Sequence, residues 1–333
     1  MVNSTSLNLK FPQDWNECSV SQLEQIASVL IDCAERSDRF HPFDMREVKV
    51  ALFFLMSELK IVEGLTLNDK GEEAYVVSHP SVKEPFYLEL WKLNSFIDGV
   101  IDIDTLQNEK PEKEQDGVFD WLDDEAHSGP LLFPYEKITV PTKLDWCIRS
   151  LHRRSFKGVA PLMQDFTWQR YRHCQDWLEE YLRRENIRIH AVNKARGCPA
   201  DSPLHREVIT ATKEVDDARA AFLSMLITGK DYNVNLFRLF DKVKWQVILF
   251  WWAEQMHYLH STYPRCFKKQ GFGAKGKKPH NPFELYTRTI ATMEKYLGLD
   301  EEKVNNQTYT LVLQHLEDMA KESEEIEKMK RKK

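Results

Sequence analysis

The chain contains no C-x-x-C pair, no G-x-S-x-G and no H-E-x-x-H, and its six cysteines are widely scattered. Zinc sites built from local ligand pairs are therefore not expected, nor is a disulfide framework in a chain this long. The cysteines read as small buried hydrophobes. Long apolar runs are also missing. The longest, 247–253 and 51–56, fall far below the roughly 20 residues of a membrane helix. No N-terminal basic-then-apolar segment resembles a signal peptide, so a cytoplasmic protein is expected, without membrane contact. An excess of positive charge is lacking as well. Lys and Arg number 46 against 52 acids, a net charge of −6. That excludes a surface wholly dedicated to nucleic acid and leaves room for local patches.

What the chain does have is apolar content, 42% against 29% charged. It can bury real cores, and its length suits about two domains. The densest apolar stretch is 243–267, which holds three of the nine tryptophans. Trp245, Ile248, Leu249, Trp252, Met256, Leu259 and Tyr263 recur at helical spacing. Val247, Phe250 and Trp251 cover the opposite face, so the first half of this helix is expected to be buried all round.

The remaining signals are mostly helical. Ser19 and Gln22 form a capping-box pattern before a stripe of Leu23, Ile26, Ala27, Leu30 and Ala34. Asp44 can cap a second helix striped by Val48, Ala51, Leu52, Leu55 and Leu59, giving an antiparallel pair. Between 61 and 140 short strands intrude, at 74–77 and 137–140, while 86–103 suits helix or strand. Residues 98–125 carry eleven acids against Lys110 and Lys113, and the middle reads as a solvated loop. Beyond Pro141 helices resume, beginning with a short one at 144–151. Further helices are capped by Thr167, by Ser202-Pro203 and by Asn281-Pro282, with Gly298 ending the last of these. A final helix starts at Glu301 or Asn306, and 321–333 reads as a fraying charged tail. The expected fold is mainly α, helical bundles with a small β-containing insertion in the N-terminal half. Its sections are a helical pair at 1–60, a mixed section at 61–143, a helical domain at 144–320 and the tail.

Several motifs resemble chemistry without supplying it. Asp124-Glu-Ala-His127 spells a helicase box, but it sits in the acidic stretch rather than after a core strand. Gly271 to Lys278 has the G-x-x-x-x-G-K spacing of a phosphate loop. Lys278 replaces the hydroxyl residue, and no strand precedes the loop. Glu254-Gln-Met-His257, with His260, has the spacing of di-iron bundles, yet no second such pair exists, so a surface or interface trio is expected. His205-Arg-Glu207 lacks the cysteine pair of zinc deaminases. No catalytic residue, metal site or cofactor is expected.

Three phrases carry a family resemblance. Residues 9–17 with 19–30 give an extended lead, a tryptophan, then a helix. The second is Phe166-Thr-Trp-Gln-Arg-Tyr-Arg-His-Cys-Gln-Asp-Trp-Leu-Glu-Glu-Tyr-Leu182, and the third is 247–267, closing on Tyr263-Pro-Arg-Cys-Phe267. In content and order they resemble bacteriophage and prophage proteins of Bacteroides-type phages, and 282–317 is similar to the C-terminus of tail-assembly chaperones. The resemblance implies a helical, non-enzymatic protein that holds tail-tube or tape-measure proteins before they polymerise. Section 61–140 and the glycine-lysine loop fit it less well. Exposed Phe250, Trp251, Met256 and Tyr258 are the expected partner contacts. The alternative is a nucleic-acid-associated protein of a phage or mobile element. It would use Arg265, Lys268, Lys269, Lys275, Lys277 and Lys278, aided by a second basic stretch at Arg149, His152, Arg153, Arg154 and Lys157.

Overall fold

A computed structural model describes residues 9–37, 42–99, 117–124, 127–145, 150–199, 201–230, 234–267 and 282–331. The fold is mainly α, with ten α-helices and five strands in two small sheets among the described residues. The chain forms two compact units. Unit 1 comprises Met1–Pro134 with Lys242–His257, and unit 2 comprises Tyr135–Asp241 with Tyr258–Lys333.

Unit 1 begins with helix α1 (Val20–Arg36), whose capping box forms as the sequence predicts. The Ser19 hydroxyl accepts the Gln22 N–H at 3.3 Å, and the Gln22 amide oxygen accepts the Ser19 N–H at 2.9 Å. Helix α2 (Met45–Met56) starts on Asp44, which accepts the Arg46 N–H at 2.9 Å. The two helices pack together with Leu23, Ile26, Ala27, Val48, Leu52 and Phe53 buried. Strands β1 (Lys60–Leu67), β2 (Glu73–Ser78) and β3 (Phe86–Glu89) form an antiparallel sheet in that order. Helix α3 (Leu90–Asp98) follows β3 directly, so the described part of the ambiguous 86–103 stretch, up to residue 99, divides into a strand and a helix.

The ends of the acidic run serve α2. Arg46 bonds Asp98 at 3.1 Å. The buried Lys49 ammonium reaches Asp120 at 2.7 Å and Asp123 at 2.6 Å. Burial would lower the Lys49 pKa, but these two carboxylates outweigh it and the net direction is upward. The middle of the run, 100–116, lies outside the described residues. Residues 242–257 of helix α7 (Lys242–Thr262) complete unit 1, with Trp245, Val247, Ile248, Trp251 and Trp252 buried. The burial is not all-round as expected, because Gln246, Leu249 and Phe250 are only half-buried and Ala253 is exposed.

Unit 2 opens with the antiparallel ribbon of β4 (Lys137–Asp145) and β5 (Ser150–Lys157). This corrects the helix expected at 144–151. Leu144 and Leu151 do fit a helical period, but in the ribbon they are paired with each other across the two strands. Helices α4 (Trp168–Ala195) and α5 (Pro203–Thr228) pack along each other, capped by Thr167 and Ser202 as predicted. Arg170 stitches them. It donates to the Met225 and Leu226 carbonyls at 3.2 and 2.6 Å, where α5 ends and its carbonyls need donors.

After α6 (Val234–Phe237) and the end of α7 come α8 (Pro282–Leu297), α9 (Glu301–Asn306) and α10 (Tyr309–Arg331). Tyr309 stacks on Tyr171 at 5.0 Å, and its hydroxyl donates to the Leu162 carbonyl at 2.8 Å. The charged tail does not fray at 321. Its glutamates, lysines and methionine are strong helix formers, and α10 runs through them to Arg331 with Ile326 and Met329 exposed. No described helix is long and apolar enough to cross a membrane.

Candidate interaction surfaces

The aromatic helix brings together two of the motifs that looked unrelated in the sequence. Glu254, only 6% exposed, accepts the Ser128 N–H at 2.9 Å and the His127 Nδ1 hydrogen at 3.2 Å. Next to it, Gln255 donates to the Leu131 carbonyl at 2.7 Å. The Phe133 ring stands edge-on to Trp251 at 4.8 Å. Gly129 lies so close to the helix that an added Cβ would sit 2.3 Å from the Phe250 carbonyl oxygen. Trp15 holds the same segment from the other side, donating its indole N–H to the His127 carbonyl at 3.1 Å. Residues 127–133 are thus latched onto α7 by hydrogen bonds to Glu254 and Gln255, by the Trp15 indole and by ring packing.

That arrangement decides what the motifs do. With its Nδ1 hydrogen given to Glu254, a neutral His127 leaves Nε2 as a free acceptor. His127 lines an open pocket of about 430 Å³ together with Trp15, Met45, Asp123 and Phe250. His257 and His260 are exposed, whereas Glu254 is buried, so of the expected surface or interface trio only the two histidines lie on the surface. No group of three or more metal-ligating side chains occurs among the described residues. His205 and Glu207 lie in the first turns of α5, half-buried and exposed. Glu125, Ala126 and 268–281 lie outside the described residues, and with them Lys268, Lys269, Lys275, Lys277 and Lys278.

The four partner contacts expected on α7 do not share one exposed face. Trp251 is fully buried, and Phe250 is half-buried against Trp15 with ring centroids 5.1 Å apart. Met256 is half-buried, and Tyr258 is exposed. Arg265 is held by carboxylates, with Glu317 at 2.8 Å and Glu324 at 3.3 Å. Its guanidinium completes the fold of unit 2 before it can meet a phosphate.

Two other surfaces are more open, and the sequence did not single out the first. Strand β1 is an edge strand whose Ile61, Val62, Leu65 and Leu67 are all exposed. Ile61, Leu65 and Leu67 pair with Val77, Tyr75 and Glu73, so their side chains share one face of the sheet. Along β2 that face is covered at Val77, which is buried, and at Tyr75, whose ring lies against Phe54 at 6.0 Å, while Glu73 opposite Leu67 is exposed. At β1 the cover stops and the apolar face continues into solvent as a shelf. Register shifts around Glu63 bulge the strand, which discourages simple edge-to-edge pairing and leaves the face as the available contact.

The second surface is the ribbon of unit 2. Its inner face buries Ile138 and Val140 and sets Phe156 against Phe237, ring centroids 5.5 Å apart. Its outer face shows Lys137, Thr139, Arg153, Ser155 and Lys157, all exposed. No family model matches this chain, and no curated protein or solved structure is detectably similar to it.

Proposed function

We propose that the chain is a non-enzymatic assembly protein that binds apolar segments of other proteins on the β1 shelf. The observation that carries this reading is the run of Ile61, Leu65 and Leu67 on one uncovered face, continuous with a buried one. Contiguous apolar surface left open to water costs solubility, and it is retained where a partner covers it. The likeness to phage tail-assembly chaperones supplies the kind of client, a tail-tube or tape-measure protein not yet polymerised. Met256 and Tyr258 remain available as adaptable contacts, while Trp251 supports the fold from inside.

The test is co-expression with a tail-tube or tape-measure protein of a Bacteroides-type phage. The expected result is a soluble complex at moderate salt. Ile61→Ser with Leu65→Ser removes about 3 kcal/mol of apolar contact and weakens the complex about a hundredfold, with little change in Tm. A complex that survives the double substitution, or a client that stays insoluble beside the folded wild-type chain, overturns the reading.

A further inference from the structure

The β4–β5 ribbon concentrates positive charge in a chain that is acidic as a whole. Its two strands carry Lys137, Lys143, Arg153, Arg154 and Lys157 against the single acid Asp145, while the chain has a net charge of −6. The register sets Lys137 directly opposite Lys157. Like charges facing each other across a ladder are destabilising, so the ribbon pays for this arrangement in stability. Two features make the outer face a site rather than a solvated strand pair. The side chains of Lys137, Arg153 and Lys157 have no hydrogen bond or ion pair to other described residues. Between the cations lies a hydroxyl pair, Thr139 and Ser155, 2.9 Å apart.

We propose that this outer face is a docking surface for the phosphate backbone of duplex DNA. It is a different surface from the β1 shelf and does not depend on the assembly reading. Charge complementarity is the main argument, since three unneutralised cations and two hydroxyls with no acid among them match a row of phosphate oxygens. Dimension agrees. Lys157 and Arg153 lie four residues apart on one face, about 13 Å along a strand, close to the 12 Å width of a major groove that admits a two-stranded ribbon. A lipid surface is disfavoured because Thr139 and Ser155 stand where an inserting face would need apolar side chains. The inner face fixes the ribbon through Ile138, Val140 and Phe156, so the charged side is presented on a rigid support.

The experiment measures binding of the full chain to a short labelled duplex by fluorescence anisotropy, from about 50 to 200 mM salt. Lys137→Gln, Arg153→Gln and Lys157→Gln together should weaken binding at least tenfold at the low-salt end. They should also flatten the plot of log K against log salt by about 2.7, roughly 0.9 for each phosphate no longer neutralised. Lys157→Gln alone should flatten it by about 0.9. Circular dichroism and Tm should be unchanged, because the three side chains are exposed. A parallel variant carries glutamine at Lys268, Lys269, Lys275, Lys277 and Lys278. If only that variant loses affinity and slope, the ribbon is not the surface and the proposal fails. It also fails if the wild-type chain binds no duplex at the lowest salt. Competition by polyglutamate as effective as by unlabelled duplex would assign the face to an acidic protein instead.

Discussion

Glu254 in α7 and Glu317 in α10 are both buried carboxylates that fix a segment distant in sequence through its main-chain N–H groups. Glu254 takes one such hydrogen, from Ser128, and a second from the imidazole of His127. Glu317 takes two, from Arg265 at 2.8 Å and Cys266 at 3.0 Å, and adds the Arg265 guanidinium at 2.8 Å. Burial alone would push the Glu317 pKa up, but those three donors hold it below the usual carboxylate range. The two units thus use one device with different helpers. In unit 2 a permanent cation neutralises the buried charge. In unit 1 the donors are weaker, and tight packing of Gly129 on the helix backbone shares the work. Charge should therefore matter more at Glu317, and shape more at the Glu254 latch.

Removing the carboxylate in unit 2 should produce the largest effect. Glu317→Ala strands two main-chain donors and most of a guanidinium, at an expected cost of about 3 kcal/mol. The pH dependence follows from the depressed pKa. The contribution of Glu317 is complete above the unfolded carboxylate value of about 4.3 and is lost as pH falls through the lower folded value. Wild-type unit 2 should consequently lose stability as the pH drops below about 4, and Glu317→Ala should show a flatter acid limb in urea titrations. An equally steep limb in the variant would place the acid sensitivity elsewhere.

A smaller effect is expected from adding a single methyl group in unit 1. Gly129→Ala places a Cβ 2.3 Å from the Phe250 carbonyl oxygen and 2.4 Å from its carbon. Both atoms belong to helix backbone and have little room to shift. The latch must lift or the helix must bend, at about 2 kcal/mol, and Tm should fall. Gly197, with φ +80° and nothing near its missing Cβ, separates this steric effect from backbone strain. If Gly129→Ala is neutral, the latch is not shape-limited and the contrast with Glu317 disappears.

The helix ends were legible in the sequence because a cap is decided by a few adjacent residues. Ser19 with Gln22, Asp44, Thr167, Ser202-Pro203 and Gly298 all do what their local patterns predict. The start of the ribbon was legible as a strand at 137–140, but its partner was not, since strand pairing between 137–145 and 150–157 leaves no mark in the helical period of 144–151. β1 was missed for another reason. Its side chains are exposed on both faces and its register is bulged, so no alternation of apolar and polar residues survives. The pairing of His127 with Glu254 spans 127 residues and has no local signal at all. The aromatic helix was found, but its pattern could not tell which rings face the core, and Trp251 proved to be inside.

The smallest effect should come from the imidazole, and it is the sharpest test of how the latch works. His127 is 67% exposed in its side chain, while Glu254 is 8% exposed in its own. Water can replace the imidazole donor once it is removed, but it cannot easily replace the Ser128 N–H inside. His127→Phe should therefore cost less than about 1 kcal/mol, a Tm change of no more than a few degrees. Glu254→Gln should be nearly as mild, because its amide oxygen still accepts the Ser128 N–H, whereas Glu254→Ala strands that donor. The expected order of Tm loss is thus Glu254→Ala first, then the two conservative changes together. If His127→Phe costs as much as Glu254→Ala, the imidazole anchors the latch. Unit 1 would then resemble unit 2, holding its buried carboxylate by charge rather than by the main chain.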